Sequence, residues 1–246
     1  MTTSGTTAWN PVRDKIIYGA LRIVGAYNAA NIPRAEQVQD AIDALDMLLK
    51  SWQTEGYLWL KKFIYVTLAA AHNSYDIGPS STDGVHSDAA AAVDYLQRPT
   101  RIFYPVRYLA DGTETPLGEP LSRSDWSALP NKATTGVVVR VYYDPQIAMG
   151  KLYVWPTPVT GVTDKIKMTV ERSIEDVGTD ESTYDLPPDA LRMLKYNLAL
   201  EISPEYSLPT KQFMIIKDAA MSLKMVFDGL HRDNTSTFFQ PDFGGR

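Results

Sequence analysis

Apolar residues recur at helical spacing near the N-terminus of the chain. Asn10-Pro11 can begin a helix, because asparagine caps free N–H groups and proline has no N–H to lose at the first helical position. The spacing predicts a first helix over residues 11–29 and a second over 33–55, whose apolar stripe ends at Trp52. Gly56 follows as a natural helix stop. This pattern predicts a helical hairpin that needs further helices to cover its stripe.

The C-terminal part of the chain returns to helical spacing. Pro187-Pro188 is predicted to start a helix that runs to about Ile202, where Ser203-Pro204 ends it. A last helix is predicted over residues 210–230, with an apolar stripe formed by Phe213, Ile216, Ala220, Leu223 and Phe227. Residues 234–246 follow neither a helical nor a strand period.

Between these helical parts, short runs of β-branched and aromatic residues alternate with turn residues, as in antiparallel sheets. The predicted strands are residues 57–67, 74–77, 100–109, 136–143, 151–155 and 164–171. Asp111-Gly112 predicts a hairpin turn, and Ser124 predicts the cap of a short helix that ends at Leu129. Residues 79–98 are rich in Ser, Ala and Asp and predict a surface loop with one helical turn at most.

These elements together predict an α+β protein. Residues 1–56 and 187–233 are expected to form a discontinuous helical domain, and residues 57–186 a β-rich domain built as an antiparallel sandwich or a barrel-like sheet. Residues 234–246 are expected to be an extended C-terminal arm. A chain of 246 residues is long enough to bury the cores that such domains need.

Composition narrows the range of functions mainly by exclusion. The chain contains no cysteine, which excludes disulfides and thiolate chemistry. We expect no membrane insertion, because no apolar run approaches the roughly 20 residues that span a bilayer. Residues 1–7 also lack the pattern of a signal peptide.

The net charge of −5 arises in the middle of the chain, where residues 63–186 hold 10 basic and 16 acidic side chains. A protein that grips nucleic acid needs clustered lysine and arginine, and the sequence shows no such cluster. A mildly acidic chain is compatible with a surface past which double-stranded DNA slides.

Candidate catalytic and metal-binding residues are sparse. No phosphate-binding loop, zinc-protease motif or nucleophile elbow occurs. His72, His86 and His231 are far apart in sequence, and we interpret them as solvated residues in loops or at a helix end. Residues 175–185 hold five carboxylates that could bind a cation such as Ca²⁺. Their spacing does not match a Ca²⁺ loop, which favours a solvated acidic segment.

Aromatic residues leave two further alternatives open. Glu55 lies beside Tyr57 and Trp59 and could be the acid of a glycoside-cleaving enzyme, although a helix end beside a strand explains the same residues. The 14 tyrosines and 5 tryptophans could stack on sugars or bases. A position in the core is favoured for Trp126, Trp155, Tyr142 and Tyr143, which lie on predicted elements.

Several short sequence segments follow one another along the chain. They are Leu45 to Gly56 (LDMLLKSWQTEG), Gly150 to Pro158 (GKLYVWPTP), Tyr184 to Leu191 (YDLPPDAL) and Tyr196 to Leu200 followed by Ser203 to Tyr206. Pro99 to Ile102, Asp125-Trp126 and Tyr143 to Pro145 belong to the same set. These segments, in this order, resemble the sequences of the head-to-tail adaptor family of short-tailed bacteriophages. Members of this family are also called tail accessory factors or packaged-DNA stabilisation proteins.

The resemblance implies a structural virion protein rather than an enzyme, with no catalytic, cofactor or metal site. Family members form a ring, twelvefold like the portal protein ring, that docks below the portal after packaging and lets double-stranded DNA pass through its lumen. Such a ring helps to retain packaged DNA and gives the tail nozzle and tail fibre proteins an attachment surface. The implied location is the head–tail junction of the virion, after assembly in the cytoplasm of the host bacterium.

The sequence leaves two other classes of function open. One is a tail-associated hydrolase of the peptidoglycan cell wall, and the other is a non-viral scaffold or binding module. The chain also departs from shorter family members in residues 79–98, in residues 107–120 and in its C-terminal segment. The identity of its tail partners therefore stays open.

The C-terminal arm is the predicted site of contact with the portal or with a neighbouring subunit. Its large apolar side chains have no core of their own and would be a liability in water. Aromatic anchors of this kind often dominate an interface. The residues predicted to make the contact are Phe238, Phe239, Pro241, Phe243 and Arg246.

Overall fold

A computed structural model gives the fold and describes residues 11–28, 32–79, 81, 83, 85–86, 97–159, 164–174 and 184–231. Helices and antiparallel sheets are both present, which confirms the predicted α+β class. The chain forms two compact units. The helical unit consists of residues 1–48 and 177–246, and the β unit of residues 49–176.

Five α-helices are present in the described residues: α1 (Arg13–Ile23), α2 (Ala35–Trp52), α3 (Arg123–Ala128), α4 (Ala190–Ile202) and α5 (Thr210–His231). The first is shorter than predicted because Gly25 takes a φ of 81°, and this left-handed conformation ends the helix. Gly56 is left-handed as well, with a φ of 74°, and ends the short 3₁₀ turn after α2 as the sequence indicated.

In the helical unit, α1 packs on α4, and α4 packs on α5, so the two ends of the chain meet. A Cβ on Gly19 would lie 2.9 Å from Cδ of Lys195, so the glycine gives room to a side chain of α4. The hydroxyl of Tyr184 donates a hydrogen bond of 2.7 Å to the carbonyl of Arg13. Burial raises the pKa of Tyr184, which keeps this hydroxyl protonated.

The strands of the β unit are β1 (Lys61–Thr67), β2 (Ser74–Ile77), β3 (Val85–His86), β4 (Arg101–Tyr108), β5 (Glu114–Pro116), β6 (Thr135–Gly136), β7 (Arg140–Pro145), β8 (Gly150–Trp155), β9 (Thr157–Pro158) and β10 (Lys165–Glu171). One antiparallel sheet has the order β3-β1-β10-β4-β5, and a second has the order β2-β8-β7. The short strands β6 and β9 pair in parallel.

The two antiparallel sheets share one hydrophobic core. The first sheet contributes Ile64, Val66, Ile102, Ile166, Met168 and Val170, and the second contributes Tyr75, Ile77, Val141, Leu152 and Val154. This arrangement is a sandwich of two sheets, because residues from both inner faces interdigitate. No sheet in the described part of the chain closes into a barrel.

Three predicted elements of the β unit differ from the structure. Residues 58–60 form a 3₁₀ turn rather than the start of a strand, and Leu60 N–H donates to the carbonyl of Tyr57. The predicted strand 136–143 is split, because Gly136 pairs with β9 whereas β7 pairs with β8. The predicted loop 79–98 contains β3, which adds to the edge of β1.

The short helix α3 begins earlier than the sequence suggested. Its cap is Ser122 rather than Ser124, because the Ser122 hydroxyl accepts a hydrogen bond from the N–H of Asp125. This satisfies one of the free N–H groups of the first turn. Trp126 of this helix is buried and stacks on Tyr142.

Candidate interaction surfaces

Within the described ranges, no group of three or more His, Asp or Glu side chains could hold a metal ion. None of the described helices is both long enough and apolar enough to span a membrane. His72 lies in an exposed turn, and His231 ends α5 with its ring nitrogen 2.6 Å from a carboxylate oxygen of Asp189. His86 belongs to β3 rather than to the predicted loop.

The other sequence candidates occupy structural positions. Glu55 lies half-buried in the 3₁₀ turn after α2, while Tyr57 is buried with its ring stacked 6.4 Å from that of Trp59. Trp126 and Tyr142 are buried, as the sequence favoured. Trp155 and Tyr143 are half-buried, and each donates a hydrogen bond to a backbone carbonyl.

The predicted contact residues of the C-terminal arm lie outside the described residues. They are Phe238, Phe239, Pro241, Phe243 and Arg246. Most of the acidic segment is also outside, since residues 175–183 are not described. Three other surfaces of the described residues are candidates for interaction, and the sequence did not predict them.

The first surface is the outward side of α5. Only Ile216, Ala220 and Phe227 of this helix are fully buried. The rest of its surface exposes six large apolar side chains, among them Met225 with 79% of its surface exposed. We call this the Met-rich face; it consists of Met214, Ile215, Met221, Met225, Val226 and Leu230. Exposed apolar side chains in this number, with Lys217 and Asp218 among them, mark a surface that is suited to a partner.

The second surface is an acidic groove between α2 and the end of α4 in the same unit. Its lining consists of Asp40, Asp43, Ala44, Met47, Glu201 and Glu205. Met47 is 68% exposed among these carboxylates. Burial raises the pKa of nearby Tyr206, and the charges of Glu205 and Asp40 raise it further. Both features indicate a negative groove with an apolar centre.

The third surface is the outer side of the larger sheet in the β unit. The strand register places side chains of β1, β10 and β4 in rows across the sheet; all of them are at least partly exposed except Glu171, which is buried. The rows are Lys61–Glu171–Arg101, Phe63–Thr169–Phe103, Tyr65–Lys167–Val106 and Thr67–Lys165–Tyr108. Aromatic and cationic side chains therefore share this surface, with the buried carboxylate of Glu171 between Lys61 and Arg101. We call this surface, together with the adjoining Tyr104, the aromatic–basic face.

One residue of the aromatic–basic face has an unusual backbone. Tyr104 has a φ of 50°, and the register of β4 against β10 shifts at this point. A left-handed conformation is costly for a tyrosine, and a bulge redirects the side chain it carries. The result is a ring with 61% of its surface exposed, next to the ring of Phe103 at 6.3 Å.

Cations lie over the rings of this face. The ammonium of Lys61 is 5.6 Å from the ring centre of Phe103, and that of Lys167 is 5.1 Å from the ring centre of Phe63. Lys167 also pairs with Glu114 at 2.5 Å, and this hydrogen bond raises the pKa of the lysine. Lys167 is thus held as an ammonium ion beside an aromatic ring.

Neither models of known protein families nor curated protein sequences give a match to this chain.

Proposed function

We propose that the protein is a structural virion component, a head-to-tail adaptor that forms a ring on the portal of a short-tailed phage. The ring extends the DNA channel, helps to retain packaged DNA and provides the attachment surface for the nozzle and fibre proteins of the tail. The observation that carries this proposal is the series of short sequence segments, from Leu45–Gly56 to Ser203–Tyr206, that resemble the adaptor family. The protein is not an enzyme in this proposal.

The Met-rich face supports an assembly role. Six exposed large apolar side chains on one helix exceed what an isolated subunit needs. We assign a neighbouring copy of this chain as the partner of this face, and the acidic groove as the part of that copy it contacts. Helix α5 carries Lys211, Lys217 and Lys224 against Asp218 and Asp228, so it is basic on balance, whereas four carboxylates line the groove.

Such a contact joins two different surfaces of the same chain. A heterologous contact of this kind generates rings when its rotation closes. Contact between two acidic grooves is disfavoured by like-charge repulsion. We expect free subunits to be monomeric or weakly associated, and we expect the portal to act as the template of the ring.

The C-terminal arm is the second element of the proposed assembly. Phe238, Phe239 and Phe243 supply apolar anchors that would bind the portal or the adjacent adaptor subunit. Repetition around a ring would turn a weak contact into firm attachment through avidity. Deletion of residues 234–246 is expected to leave a folded monomer that no longer joins portal-containing heads.

The test of the function is native mass spectrometry of the protein alone and with the portal ring of its phage. We expect monomers alone and a closed adaptor ring, twelvefold in the simplest case, on the portal. A stable closed ring without portal contradicts the templated assembly. Failure to bind any portal contradicts the adaptor function itself.

The neighbour contact has a separate test, because the chain contains no cysteine of its own. A variant with Met47→Cys and Met221→Cys should give a ladder of disulfide-linked multimers when the ring is oxidised on the portal. Each single variant is the matched control and should give no ladder. Dimers from Met221→Cys alone would show α5 packing on α5 and would contradict the heterologous contact.

A further inference from the structure

The aromatic–basic face has a composition that neither a core nor an ordinary solvated sheet surface requires. Phe63 exposes 57% of its surface, and Tyr104 adopts a strained backbone while its ring points outward. Strain of this kind persists where the surrounding structure enforces it and is concentrated at functional sites. The exposed rings of this face are therefore suited to a ligand that has flat groups to stack on them.

The cations of the face specify the chemistry of that ligand. Arg101 is exposed, and Lys61 and Lys167 lie beside the rings of Phe103 and Phe63. Lysine is depleted in the centres of protein–protein interfaces, because its desolvation is costly. Neutral sugars would use the rings but would not require the cations. A polyanion that carries flat groups can contact both the rings and the cations of this face.

We propose that the aromatic–basic face binds single-stranded nucleic acid without sequence specificity. Unpaired bases stack on exposed aromatic side chains, and the phosphates are neutralised by lysine and arginine beside them. The register fits this use, because Phe63, Thr169 and Phe103 lie in one row across three strands. Two strand spacings put Phe63 and Phe103 about 10 Å apart, with Tyr104 extending the platform beyond Phe103.

Double-stranded DNA uses this face less well. Paired bases are stacked inside the duplex and cannot cover Phe63 or Tyr104, so only the cations would contribute. The chain as a whole carries a net charge of −5, which opposes non-specific attraction of duplexes elsewhere on its surface. The binding inferred here is independent of the adaptor function, since it depends only on residues of the β unit.

The experiment measures fluorescence anisotropy of a labelled 20-nucleotide oligothymidine with the full-length protein at low salt. We expect micromolar binding that weakens steeply as salt rises, because phosphate contacts release counterions. A duplex of the same length and heparin serve as competitors and should compete at least about fivefold less well. Absence of binding at low salt overturns the proposal.

The variants separate stacking from charge. Tyr104→Gly removes the ring and relieves the strained backbone, so it should fold well and bind about fivefold or more weakly. Tyr104→Phe keeps the ring and should bind like the wild type. Phe63→Ala should weaken binding by a similar factor, whereas Ile147→Ala, an exposed apolar position away from the face, should not.

Charge is tested with Arg101→Gln, with Lys132→Gln as the control beside Trp126. We expect a weaker affinity and a smaller salt dependence only for Arg101→Gln. Thermal unfolding of every variant checks that the β unit stays folded. If the ring variants bind like the wild type, or if heparin competes as well as oligothymidine, the face is an electrostatic surface only and the proposal is wrong.

Discussion

The strands of the β unit and helix α5 use apolar residues in different ways. Along β10 the buried side chains Ile166, Met168 and Val170 alternate with Lys165, Lys167 and Thr169, so one side faces the core and the other is polar. Helix α5 has apolar residues on its buried side and exposes further large apolar residues among the polar ones of its outward side. The alternation lets β10 bury its apolar side within its own subunit, whereas α5 leaves apolar surface for another molecule.

The two outward surfaces consequently suit different kinds of contact. The Met-rich face can bury apolar area against a fixed neighbour, and methionine adapts well to irregular partners. The aromatic–basic face offers rings and cations, which bind and release a charged ligand as salt and concentration change. Substitutions on buried and exposed positions test this difference between the two units.

The largest effect is expected from the two sides of α5 compared directly. Phe227→Ala removes a buried ring and should lower the free energy of unfolding by about 3–5 kcal/mol. Met225→Ala on the opposite side should change it by less than about 0.5 kcal/mol. Chemical denaturation of both variants measures the difference. Equal destabilisation would mean that the outward side is covered within the subunit.

The second effect concerns assembly rather than folding. Met221→Asp together with Met225→Asp places two carboxylates on the Met-rich face, where contact with a neighbour would desolvate them. Ring formation on the portal should weaken at least about hundredfold, which corresponds to about 2.7 kcal/mol. Met221→Leu with Met225→Leu is the control and should assemble normally. Normal assembly of the aspartate variant would remove this face from the interface.

A third effect probes how tightly the β unit is packed. A Cβ on Gly150 would lie 2.5 Å from ring carbons of Tyr143, so the ring depends on the bare glycine. Gly150→Ala should displace the ring, break the 2.6 Å hydrogen bond from Tyr143 to the carbonyl of Pro99, and lower the free energy of unfolding by about 1–3 kcal/mol. Gly229→Ala is the control, because no atom lies within 4 Å of its Cβ position apart from its chain neighbours and the backbone of its own helix. An unchanged Gly150→Ala variant would show that this packing is loose.

The smallest effect depends on pH. Burial raises the pKa of Tyr143 above that of a free tyrosine, so the folded protein holds this proton more tightly than the unfolded chain. Its contribution to stability is fully present below about pH 10 and is lost as pH rises further toward the folded pKa. Tyr143→Phe should lose less stability than the wild type as pH rises above about 10. Parallel pH curves for the two proteins would contradict this origin.

The sequence predicted the elements whose stabilising contacts are local. The period of α5 and the turn at Gly112, with a φ of 86°, follow from neighbouring residues, and both are present. The two-residue strand β3 and the parallel pair of β6 and β9 could not be predicted, because their partners are distant in sequence. The cap of α3 was misplaced by two residues because Ser122 and Ser124 are equally good caps, and only the fold selects one.

The candidate surfaces were missed for a related reason. A hydrophobic period marks the buried side of a helix, so Met221 and Met225 added only apolar character to α5 and no separate pattern. The aromatic–basic face depends on the register between β1, β10 and β4, which brings Phe63 and Phe103 into one row. Neither the exposure of a residue nor its cross-strand neighbour can be read from spacing alone.

The outer strands of the larger sheet decide where a second chain could pair with its edges. In the described residues, the sheet ends at one side on β3, which pairs with Tyr65 and Val66 of β1, and at the other on β5, which contains Glu114 and Pro116. A long free edge would recruit other chains through backbone hydrogen bonds, and short edges with a charge and a proline do not. The charge and the proline of β5 therefore disfavour backbone pairing with a second copy at that edge, so contacts between copies there depend on side chains.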